Sequence, residues 1–146
     1  MITKKHFLLA FVLLLGTLYT AHSQVKFGAG LRYNNNKIYN ALGITGKVGF
    51  GIGSNFDIHA NATYYFSKSA SWAIDGDLHY KLLNVNEGKF ILNPFAGLNF
   101  TYTSTTVNSL SLGVFLKYEA EKLDYFVEPR WILNDNQFVL TVGVML

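Results

Sequence analysis

Asp75, Asp77 and His79 stand at alternate positions of the stretch WAIDGDLHYKLL, residues 72–83. In extended backbone such residues share one face, here with Ala73 and Lys81. The opposite face holds Trp72, Ile74, Gly76, Leu78, Tyr80 and Leu82. Asp57 and His59 have the same spacing further back. Carboxylates and imidazoles arranged this way suit a divalent metal site or an acid–base cluster. If Phe66 pairs with Trp72 across SKSAS, His59 faces His79, Asp57 faces Lys81 and Asn61 faces Asp77. Directly paired residues have Cβ atoms ~4.5–5.5 Å apart. His59, His79 and Asp77 then form either a metal-holding group or a hydrogen-bonded pair. The structural reading takes precedence, and neither metal nor cofactor is expected.

Nucleophilic catalysis finds no support. Asp57 and Asn61 flank His59 at two residues, and Asp77 and Lys81 flank His79, so no hydroxyl lies there. Ser111 shares their parity but lies well along another strand. Nothing resembles an activated nucleophile, and no catalytic residue is assigned. The chain has no cysteine, which excludes disulfides and thiolate chemistry.

The elements that carry these residues are strands. From Gln24 onward no helical period persists, whereas alternation does. Strands are expected at Val25–Tyr33, Ala41–Ile52, Phe56–Phe66, Trp72–Leu83, Lys89–Tyr102, Ser109–Glu119, Asp124–Leu133 and Gln137–Leu146. The breaks, among them NNNKIYN, GSN, SKSAS and NDN, are hairpin-length. Eight strands joined in sequence order can close as an antiparallel up-and-down barrel, an all-β fold. Pro94 and Pro129 fall inside strands of lipid-facing parity, where a closed barrel has no edge to shelter them, so bulges are expected there.

Residues 1–23 read as a signal peptide and 24–146 as one barrel domain. Lys4 and Lys5 precede the apolar run Phe7 to Leu18, and Ala21-His22-Ser23 offers a small-residue cleavage site. The formal net charge of +3 falls to about +1 once the two lysines are set aside, and no basic patch points to nucleic acid. Charged residues make up 14%, against ~25% in a typical soluble domain, which implies a large core or a non-aqueous surface.

Aromatic residues decide which face looks inward. Phe27, Phe50, Phe56, Phe90, Tyr80, Tyr118 and Tyr125 fall near one rim of the apolar face. Tyr33, Tyr64, Tyr102, Phe66, Phe100, Phe138, Trp72 and Trp131 fall near the other. Aliphatic residues lie between, and two aromatic girdles around an aliphatic band mark a barrel that crosses a bilayer. An eight-stranded lumen is too narrow for so many rings. Glycine recurs on the polar face, which suits a crowded interior. A soluble barrel with the apolar face inside is the alternative.

With the polar face inward, the lumen receives Lys26, Arg32, Lys47, Lys81, Lys117 and Arg130 against Asp57, Asp75, Asp77, Glu119 and Glu128. Single-sign rings would suggest an ion-selective pore; this mixture suggests a salt-bridged plug. Asp75 and Asp77 are expected to answer cations such as Lys47, Lys117 or Arg130.

The signal peptide, the eight strands, the girdles and the last strand QFVLTVGVML resemble the small OmpA/OmpX-like outer-membrane β-barrels. The departure is at Leu146, where that family usually ends in an aromatic residue; the nearest here is Phe138. The resemblance implies an outer-membrane protein with a periplasmic N-terminus, periplasmic tight turns and outward loops at 34–40, 67–71, 103–108 and 134–136. It also implies outer-membrane lipid as the surrounding partner. Short loops favour a non-enzymatic, envelope-structural or interaction role as a monomer. The alternatives are a soluble periplasmic barrel binding a lipid-like ligand and an outer-membrane lipid-modifying enzyme.

Overall fold

The protein is described from a computed structural model covering residues 25–35, 40–67, 72–85, 87–102, 105–133 and 137–146. The expected signal peptide lies outside these residues, as do much of NNNKIYN and SKSAS and all of NDN.

Alternation becomes strand throughout. The strands are β1 (Lys26–Asn35), β2 (Asn40–Ile52), β3 (Phe56–Tyr65), β4 (Trp72–Tyr80), β5 (Leu83–Val85), β6 (Phe90–Tyr102), β7 (Thr106–Glu119), β8 (Asp124–Ile132) and β9 (Gln137–Met145). Neighbours in the chain pair antiparallel except β4 and β5, β1 pairs with β9, and β4 pairs with β6. The sheet therefore closes into an eight-stranded up-and-down barrel. The short β5 pairs with β6 beyond the end of β4. At the β2–β3 turn, Gly53 takes φ +68°, a left-handed conformation that glycine adopts without strain.

The barrel is inverted relative to a water-soluble core. Leu31, Ile44, Leu98, Leu110, Leu112 and Val142 lie exposed on the outer wall. Arg32, Lys47, Asp75, Asp77, Glu128 and Arg130 are buried inside. Fourteen of the fifteen girdle aromatics named above have the outward parity of their strands, and Phe66, one residue past the end of β3, is exposed as well. Trp72 stacks on Tyr102, centroids 5.4 Å apart, and Trp131 meets Phe138 edge-on at 4.8 Å. These contacts link neighbouring strands along one rim.

Glycines make the crowded interior possible. A Cβ at Gly30, Gly43, Gly97, Gly113 or Gly143 would strike backbone of a facing strand. Small residues here let strands approach where larger side chains must fit elsewhere in the narrow lumen.

The two prolines are accommodated differently. Between the pairs His79–Phe95 and Leu83–Leu92, the β4–β5 side has three residues and β6 has two, Asn93 and Pro94. That extra residue is a bulge opposite Pro94. At Pro129 there is no bulge: pairing with β7 lapses between Gly113–Arg130 and Leu116–Val127, then resumes in the same register.

The β3–β4 register corrects the expectation. Tyr64, not Phe66, pairs with Trp72, placing His59 opposite Asp77, Asp57 opposite His79 and Asn61 opposite Asp75. Phe66 instead donates its backbone N–H to Leu42 O on β2 at 2.8 Å.

Candidate functional site: the barrel interior

The lumen is built in layers, beginning at the end shared by the start of β1 and the finish of β9. Charged pairs form the mouth. Lys26 Nζ donates to Asp124 Oδ2 at 3.1 Å, Lys117 lies 3.1 Å from Glu119, and Lys81 lies 3.3 Å from Asp57. Lys81 and Asp57 thus meet although they are diagonal rather than direct register partners.

Behind the mouth is a layer of rings. His59 and His79 stack with centroids 3.8 Å apart, and His79 stacks on Phe95 at 4.7 Å. The column Phe95–His79–His59 ends against Gly49, where a Cβ would press on three ring atoms of His59. Phe115 meets both histidines edge-on, and Phe126 and Met145 complete the cluster. The layer therefore draws on β2, β3, β4, β6, β7, β8 and β9.

Next comes a buried charge network of three cations and three carboxylates. Arg130 contacts Asp75 at 3.1 Å, Glu128 at 3.0 Å and both oxygens of Asp77. Arg32 bonds to Asp75 and donates from Nε to Thr141 Oγ1 at 3.1 Å. Lys47 donates to Glu128 at 2.6 Å. The aspartates' answering cations are thus Arg32 and Arg130; Lys47 answers Glu128, and Lys117 stays at the mouth. Lys47 and Arg130 also lie over ring faces, Lys47 Nζ 5.3 Å from Phe115 and Arg130 Cζ 4.7 Å from Phe95. Such cation–π contacts bind the ring layer to the charges. Asn99 donates to Asp75, Asn61 donates to Asp77 at 3.0 Å, and Asn34 donates to Gln137 at 3.2 Å nearer the far end.

The geometry does not assemble a metal centre. No group of three or more His, Asp or Glu side chains suited to a metal comes together among the described residues. Asp77 is engaged by Arg130 and Asn61. Stacked imidazoles keep their lone pairs in two nearly parallel planes and do not converge on one ion. Ser111 accepts from Arg130 Nη1 at 3.2 Å, a contact that does nothing to activate a nucleophile.

No protein-family model matches the sequence, and no curated protein matches it. Solved structures do match. The N-terminal β-barrel domain of Pseudomonas aeruginosa OprF gives a TM-score of 0.60 at 14% identity, covering 85% of this chain and 98% of that one. Neisserial surface protein A gives 0.55 at 14%, covering 83% and 92%. The fold is that of the small OmpA/OmpX-like outer-membrane barrels. A de novo designed transmembrane β-barrel matches as well, at 0.54 and 15% identity, covering 82% and 92%. A fold that design reproduces does not by itself specify an activity, so function must be argued from the interior.

Sequence reasoning missed part of that interior. Phe95, Phe115, Phe126 and Met145 have the parity of the lumen charges, as does Asp124. Phe115 lies two residues before Lys117, and Phe126 two before Glu128. That spacing was the available signal.

Proposed function

We propose that the chain is an integral outer-membrane barrel without enzymatic activity, with a lumen closed to ions and an envelope-structural or interaction role. It acts as a monomer surrounded by outer-membrane lipid, after removal of residues 1–23 during export. The observation that carries this reading is the inverted polarity: a belt of exposed Leu, Ile and Val outside and, among the described residues, seven buried charged side chains inside. Neither face suits a soluble ligand-binding barrel, whose apolar side turns inward. The closed lumen is supported by consecutive layers of packed rings and paired charges. The non-enzymatic reading is supported by the engagement of Ser111 and Asp77 with Arg130.

Membrane fractionation with a heat-modifiable gel shift tests the placement. The protein is expected in the outer-membrane fraction and to migrate differently before and after boiling; recovery from the soluble periplasm contradicts the proposal. Planar-bilayer recording tests the lumen, where a large steady conductance would refute the plug. Lipid A profiles are expected to be the same with wild type, His59→Ala and His79→Ala.

A further inference from the structure

We draw no further inference here: the strongest candidate, the apolar groove on the outer wall over Ala29, Gly46 and Ala62, is a stripe of small residues with no second feature that points to a ligand, and nothing in the structure shows what covers it.

Discussion

The rings of His59 and His79 lie 3.8 Å apart with their planes 17° from parallel, although the two residues are not register partners. His59 is paired with Asp77 across the strands, and His79 with Asp57. The histidines meet diagonally because Phe95 and Gly49 close the two ends of the ring column. The stack therefore acts as packing, in line with Phe95 and Phe115.

That packing role predicts the effect of substitution. Neither ring nitrogen of His79 has a hydrogen-bond partner among the described residues. His79→Phe keeps the ring and removes both polar atoms, so it should stabilise the barrel by about 1–3 kcal/mol, the scale of one unsatisfied buried group. His79→Ala should destabilise it by about 3–5 kcal/mol, as for other buried ring deletions. Urea titration of folding into vesicles measures both. Added zinc should leave the wild-type midpoint unchanged; a zinc-dependent rise would restore the metal reading.

The charge network should be sensitive to removal of one partner and tolerant of removal of both. Glu128 accepts from Lys47 and Arg130. Glu128→Gln leaves buried Lys47 without a carboxylate, while Arg130 keeps Asp75 and Asp77, and should cost about 3–5 kcal/mol. Lys47→Met combined with Glu128→Leu should recover most of that loss, because a matched apolar replacement of a buried pair is often nearly neutral. A double-mutant cycle on the same folding titration gives the coupling, and additive losses would contradict the pairing.

Glycines on the two faces should respond in opposite directions. A Cβ at Gly113 would come 2.5 Å from Pro129 O and also meet the Phe95 ring. Gly113→Ala should therefore destabilise by about 1–3 kcal/mol through overpacking. Phe95→Leu should not rescue it fully, because the Pro129 carbonyl is backbone. Gly46 and Gly76 face outward, and a Cβ there meets nothing within 4 Å. Gly46→Ala and Gly76→Ala should stabilise by about 0.4–1 kcal/mol by restricting the unfolded chain. The unfolding midpoints of the three variants provide the comparison.

The lipid belt predicts a dependence on depth. Leu112 lies in the aliphatic band and Tyr125 in a girdle, both exposed on the outer wall. Leu112→Arg should cost about 2–4 kcal/mol in a bilayer, and Tyr125→Arg about 0–1 kcal/mol. Folding free energies in vesicles separate the two. Equal, near-zero costs would mean that the wall faces water.

Much of this architecture was legible because alternation fixes which residues share a face. The strand positions, the outward aromatics and the inward glycines all follow from parity. Register is harder to read, because sliding a strand by two residues keeps every side chain on its own face. The misplaced pairing of Phe66 with Trp72 is such a slip, and the bond from Phe66 to Leu42 is one that hairpin symmetry does not reveal. The ring layer escaped notice for another reason. Residue type alone does not separate lipid-facing rings from lumen rings; only the parity that Phe95, Phe115 and Phe126 share with the lumen charges does.

The β1–β9 seam bears on the timing of assembly. Phe27 and Leu146 exchange backbone hydrogen bonds at 3.3 and 2.7 Å, so the first strand finds its second partner only in the last. Until β9 arrives, β1 has an open edge, Arg32 lacks Thr141, and the ring layer lacks Met145. A nascent or truncated chain can form hairpins but cannot close the wall, so the barrier to maturation should lie in a single late step rather than in successive additions.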